Sequence, residues 1–211
     1  MSNDFEKDEN TSEEIIETGI ISEIPEEGGK PKKGWKKELL EWAESLVVAV
    51  VIALIITKFV FCMVKVDGAS MDPTLHHKDQ LFVTILGYNP KDGDIIVFTP
   101  KAETKKKYIK RVIATEGQTV DIKNGEVFVD GNKLNESYIK EMINREPSGE
   151  YPKIVPEDHV FVLGDNRNNS ADSREEGRVG MVSRKSIMGK ALFRVFPFNN
   201  IGNLYSNYSI D

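Results

Sequence analysis

From Leu39 to Thr57 the chain carries only two charged residues, Glu41 and Glu44, and from Ser45 to Thr57 it carries none. A continuous Leu/Val/Ile/Ala run has no polar stripe, so it does not suit a helix with one face in solvent. Thirteen uncharged residues are short for a membrane span; the nineteen counted back to Leu39 approach the roughly 20 that a span needs. The two glutamates then fall in the first turns, beside the positive end of the helix dipole. Five lysines, from Lys30 to Lys37, precede the run, and Trp35 and Trp42 suit an interface. The pattern predicts one transmembrane helix over 39–59, with its N-terminus on the cytoplasmic side. A cleavable leader is disfavoured, because some thirty residues precede the run and no small-x-small site follows it.

This run divides the chain. Of the net charge of -6, residues 1–29 carry -9 and the remainder +3. That acidic stretch, with almost no aromatic residues, is expected to be disordered. Residues 1–38 thus read as a cytoplasmic tail with a basic flank, and 60–211 as an extracytoplasmic domain. No strongly basic patch marks a nucleic-acid partner. Cys62 is alone, so there is no intrachain disulfide, and about 150 residues can bury a sufficient core without one.

Beyond the run the pattern is of short β-branched and aromatic segments between turn signals: Phe59–Val66, Gln80–Leu86, Asp94–Thr99, Tyr108–Thr115, Thr119–Lys123, Glu126–Asp130, His159–Leu163 and Ile187–Phe196. Asn124-Gly125 signals a two-residue hairpin and Asp130-Gly131-Asn132 another turn. Residues 134–157 are polar and proline-bearing, with one helical turn expected near Tyr138–Asn144. The expected fold is mostly β and antiparallel.

Three stretches carry chemistry. In Val66-Asp67-Gly68-Ala69-Ser70-Met71-Asp72-Pro73 a serine stands between a glycine and a proline at a strand end, the presentation a nucleophile needs. An ordinary surface turn has the same composition. In Tyr108–Ala114, period two puts Tyr108, Lys110, Val112 and Ala114 on one face and Ile109, Arg111 and Ile113 on the other. Lys110 therefore lies among apolar neighbours, where desolvation lowers its pKa. A shift to about 8 requires about 3 kcal/mol, which burial supplies. Gly164–Arg174 has no large apolar side chain. Asp165, Asp172, Arg167 and Arg174 can pair within it or with neighbouring strands. A calcium loop is disfavoured, because Arg167 stands where an EF-hand needs Asp or Asn. His76, His77 and His159 have neither metal spacing nor the context of a triad. No metal or cofactor is expected.

Ser70–Leu75, Gly93–Phe98, Tyr108–Ile113 and Gly164–Arg174 together resemble the type I signal peptidase family, over residues 40 to 200. The resemblance implies a serine-lysine endopeptidase that removes signal peptides from secreted preproteins at the outer face of the cytoplasmic membrane. It implies Ser70 as nucleophile and Lys110 as general base. It also implies Ser170 as the lysine's orienting partner, Asp172 and Arg174 as loop braces, and an Asp165–Arg111 pair. Shallow pockets for small residues one and three before the cut are implied, as is a smaller β region inserted over about 118–157. Gly68 stands where the Gram-negative branch has an oxyanion-binding serine, as in Gram-positive relatives. The oxyanion then depends on the Ser70 amide and a second donor. The partners implied are preprotein signal peptides and the lipid bilayer. A repressor-like serine-lysine protease would need a DNA-binding domain, and a β-lactamase Ser-x-x-Lys is excluded by Pro73. An inactive, membrane-anchored β module that binds exported chains would not need all of these residues.

Overall fold

The computed structural model describes residues 34–145, 147–205 and 209–210, with the backbone alone for 56–59, 203, 209 and 210. The acidic stretch 1–29 and the lysines before Gly34, and with them the expectation of disorder, lie outside the described residues. The chain divides into two units, Met1–Ser45 and Leu46–Asp211. Helix α1 runs from Trp35 to Val60. In the first unit it begins with the Lys37 amide on the Gly34 carbonyl, and Ser45 Oγ donates back to the Glu41 carbonyl at 2.9 Å. The large apolar side chains between Trp35 and Ile55 are 48 to 79 % exposed. Among the described residues no helix is long and apolar enough to cross a membrane; the side chains of 56–59, the end of the expected span, are not among them.

The second unit is antiparallel β, as expected. Its strands are β1 (Phe61–Lys65), β2 (Gln80–Thr84), β3 (Ile95–Phe98), β4 (Tyr108–Thr115), β5 (Thr119–Lys123), β6 (Glu126–Val129) and β7 (Asn132–Asn135). They continue as β8 (Lys153–Ile154), β9 (His159–Leu163), β10 (Val182–Ser183), β11 (Ile187–Phe196), β12 (Gly202–Asn203) and β13 (Ser209–Ile210). The larger sheet has the order β1-β2-β11-β3-β4-β9-β10, with β12 beside β11. The smaller has the order β13-β7-β6-β5-β8. Its hairpins turn at Asn124-Gly125 (φ 54° and 80°) and Asp130-Gly131 (φ 51° and 82°), with Lys123 opposite Glu126 and Val129 opposite Asn132. Two successive positive φ values match the right-handed twist of the flanking strands.

Every residue of β3 is buried, because the sheet is covered on both sides. Ile95 and Val97 pack with Val66, Met71, Leu75, Leu81 and Val83. Ile96 and Phe98 pack with Val112, Val160 and Val162. A third cluster joins Ile113, Ala114, Phe161 and Leu163 to Val120, Val127 and Val129 of the smaller sheet.

Two expectations are corrected here. The alternation of β4 fails after Val112: a bulge against β9 lets Ile113 and Ala114 share one cluster. A bulge adds a residue on one strand and so resets which face follows. The expected helical turn at 138–144 is also absent; the structure has a turn closed by the Ile139 amide on the Glu136 carbonyl. Backbone groups that a helix would pair internally are taken elsewhere. Asn168 accepts from the Asn144 amide and donates to the Met142 carbonyl, both at 2.9 Å. The Ile143 amide donates to the Gly125 carbonyl.

Candidate active site

Ser70 opens a turn in the loop between β1 and β2. Its neighbours Met71 and Leu75, 1 % and 0 % exposed, peg that turn into the core. Gly68 precedes it at φ 99°, a backbone region that side chains disfavour. The Gly68 amide donates to His77 Nδ1 at 3.2 Å and so already has a partner. Lys110 is the third residue of β4. In a flat sheet β1 and β4 would stand four strand spacings, roughly 19 Å, apart. Twist and the reach of the β1–β2 loop close that gap: Lys110 Nζ lies 2.8 Å from Ser70 Oγ.

The lysine is 3 % exposed. Its amine also reaches the Ile109 carbonyl at 3.0 Å and lies 5.3 Å from the centroid of the Tyr108 ring. Burial pushes its pKa down to about 8; Asp172 and Asp165 oppose the shift, while Arg178 and Arg174 favour it. Near neutral pH a usable fraction of the amine is therefore unprotonated, which an exposed lysine would not offer.

Arg111, next in β4, faces the other way. It makes a paired contact with Asp165, Nε to Oδ1 at 2.9 Å and Nη2 to Oδ2 at 2.7 Å, and donates to the Gly93 carbonyl at 3.0 Å. Its guanidinium stacks 4.1 Å from the Tyr138 ring centroid. Thr74 Oγ1 donates to the same carboxylate at 2.5 Å. The next residue, Asn166, ties down the backbone at Ser70. Its amide donates to the Ser70 carbonyl at 3.1 Å and its Nδ2 to the Ala69 carbonyl at 3.0 Å.

The rest of the loop is braced from inside. Asp172 accepts from the Gly164 amide at 3.1 Å and from Arg174 Nε at 2.8 Å. Arg174 also donates to the Arg167 carbonyl. Arg167 reaches outside the loop to Glu136, through Nη1 at 2.8 Å and through a second, shorter contact. Ser170 is 8 % exposed, and its Oγ has no hydrogen-bond partner among the described residues. The expected Ser170–Lys110 hydrogen bond is thus not made; the amine uses the Ile109 carbonyl instead. Gly164 lies between the two serines. A Cβ there would come within 2.2 Å of Ser170 Oγ and 2.4 Å of the Ser70 carbonyl oxygen.

Ser70, Lys110 and Ser170 line one cavity of about 650 Å³. None of the histidines lines it: His76 and His77 are exposed, His77 meets only the outer side of its wall at Asp67 and Gly68, and His159 Nδ1 sits against the Glu157 carbonyl. Sequence reasoning missed Asn166, Thr74, Glu136 and the Ile109 carbonyl. Only the polar density of the 164–174 segment pointed toward the first.

The signal peptidase model, peptidase S26, matches residues 39–196. The chain belongs to the type I signal peptidase family. It is 37 % identical over 182 residues to a signal peptidase I of Bacillus amyloliquefaciens, covering 82 % of this chain and 96 % of that one. It is 38 % identical over 177 residues to signal peptidase I S of Bacillus subtilis, covering 79 % and 94 %. Signal peptidase IB of Staphylococcus aureus strain N315 is 36 % identical over 185 residues, covering 78 % and 93 %. A crystal structure of a signal peptidase I from Enterococcus faecalis V583 aligns with TM-score 0.41 at 29 % identity, over 49 % of this chain and 97 % of the other. Type I signal peptidases cleave signal peptides from preproteins, and this member of the family is an endopeptidase.

Proposed function

We propose that this chain cleaves signal peptides with Ser70 as nucleophile and Lys110 as general base. One observation carries the reading: a buried amine with its pKa lowered to about 8 stands 2.8 Å from Ser70 Oγ. The neutral amine takes the Ser70 proton as Oγ attacks the scissile carbonyl. The ammonium then returns that proton to the leaving amine. Water, activated by the same amine, hydrolyses the acyl-enzyme. With the Gly68 amide engaged by His77, the Ser70 amide is the local donor for the oxyanion. Asp165, Asn166 and Asp172 hold the geometry through Arg111, the Ser70 carbonyl and Arg174. Ser170 borders the cleft next to the pair. Cleavage of a model preprotein by wild type, and its loss in a folded Ser70→Ala variant, is the direct test.

We further propose that 39–59 anchors the chain in the cytoplasmic membrane, with 1–38 inside and 60–211 outside. The lysine cluster and the exposed apolar side chains of α1 support this. Protease added to spheroplasts is expected to digest the C-terminal domain and spare the tail. The reverse pattern would refute the topology.

Gly164→Ala is expected to lower the initial rate by about 100-fold while the domain stays folded, since displacement of a reacting group by about 1 Å has that effect. Circular dichroism and preprotein cleavage, measured together, check it. In contrast, His76→Ala and His159→Ala should cleave within about twofold of wild type, as surface changes away from the site usually do. A large loss in either folded variant would argue for a histidine base.

A further inference from the structure

A second cavity, of about 480 Å³, adjoins the catalytic one. Arg145, Ser170, Glu175 and Arg178 line both. Arg167 and Arg174 also line the second cavity, but Glu136 and Asp172 neutralise them. The two arginines at the shared border are differently placed. Arg145 is exposed and has no ion pair among the described residues. Arg178 shares one carboxylate, Glu103, with Lys106, at 2.8 Å and 2.7 Å. Its other acidic neighbour, Glu175, is 3.8 Å away. Lys107 adds a further positive charge to the catalytic cavity. At the border itself the two arginines outnumber the one carboxylate, Glu175, so it is cationic, and at it lies a buried hydroxyl, Ser170 Oγ, with no hydrogen-bond partner among the described residues.

Resting on the function proposed above, we infer that Arg145 and Arg178 form a subsite for a carboxylate side chain of the substrate, in the segment just after the scissile bond. The direction follows from the two parts of the catalytic cavity. Away from the second cavity its wall includes exposed charged side chains such as Lys65 and Asp67 beside Val64, Val66, Gly68 and Ile109, and these last suit the small apolar residues before the cut. The arginine border remains for the residues that follow it. An aspartate or glutamate there gains two guanidinium partners that offer paired donors. Ser170 Oγ, at the same border, supplies a further donor.

The test uses the full chain in detergent and model preproteins that are identical up to the cut. Asp, Asn or Lys is placed in turn at each of the first four positions after it. At one position, kcat/KM at low salt should be about three- to fivefold higher for Asp than for Asn, the range that a partly exposed ion pair supports. High salt should shrink the ratio. Arg145→Gln and Arg178→Gln should each bring the ratio towards one, and Arg145→Glu should favour the Lys substrate. The Asp/Asn ratio is internal to each variant, so a general loss of activity does not mimic the result. Equal cleavage of all substrates, or a ratio untouched by these variants, overturns the inference. So does an effect of the variants on binding to anionic vesicles with no change in the ratio, which would mark a lipid-headgroup site. Failure of wild type to cleave any preprotein would instead refute the function itself.

Discussion

Lys110→Arg should lose catalysis as completely as Ser70→Ala, by about four to six orders of magnitude in kcat, as removal of a nucleophile or its base does elsewhere. A guanidinium cannot give up its proton in the working range, so charge and length are kept while the base is lost. The initial rate on a signal-peptide substrate reads this directly, and robust turnover by Lys110→Arg would exclude the lysine base. Two pH dependences accompany it. In wild type, kcat/KM should rise as pH passes through about 8, because only the unprotonated amine can accept the Ser70 proton. Stability should also depend on pH. The folded pKa lies below the unfolded value, so between about 8 and 10.5 the unfolded chain binds more protons, and stability rises with pH across that window. The rise should amount to about 3 kcal/mol. Below pH 8 that increment is absent. Lys110→Met should abolish the rise, which denaturant titration at pH 7, 8, 9 and 10 will show.

Asp165→Ala should be the most damaging single change to the fold. It leaves Arg111, 1 % exposed, without its carboxylate and Thr74 without its acceptor. Removing one partner of a buried ion pair typically destabilises by about 3–5 kcal/mol. For a domain of this size that corresponds to a fall in Tm of roughly 10 °C. Activity should fall with it even where the protein stays folded, because Asn166 follows directly and holds the Ser70 carbonyl. A Tm within about 2 °C of wild type would mean that the pair is not what fixes the loop. Glu136→Ala unpairs Arg167 in the same way, but it leaves the Asp165 contacts with Arg111 and with Thr74 of the Ser70 turn in place. Comparing the two separates loss of stability from loss of positioning.

The strands flanking the site were legible because period-two patterning and turn residues are local signals. The eight anticipated segments correspond to strands with small changes at their ends. Lys110 stood out because its own strand surrounds it with apolar residues. Its approach to Ser70 did not, since nothing local encodes a contact across 40 residues and four strand spacings. The same holds for Glu136 as partner of Arg167, and for Asn166 on the Ser70 turn. Short strands such as β8 and β10 have too few residues to show a period. The helical turn expected near Tyr138 was lost to tertiary competition, when Asn168 and the Gly125 carbonyl took its backbone groups. Ser170 shows the reverse limit: the motif identifies the residue, but its hydroxyl does not bond the lysine.

The central place of β11 between β2 and β3 sets a timetable for synthesis. Ser70 and Lys110 leave the ribosome early. The asparagine that ties the Ser70 turn, 97 residues beyond Ala69, comes much later, and the strand that joins the two halves of the larger sheet later still. Until about Phe196 has emerged, the β1–β2 pair lacks the strand that bonds it to β3, and only core packing and the contacts of Asp165 and Asn166 hold it near β4. A nascent chain therefore carries the proposed nucleophile and base before the strand that completes the larger sheet. Chain order thus makes the completed setting of the proposed pair one of the last features of the domain to be synthesised.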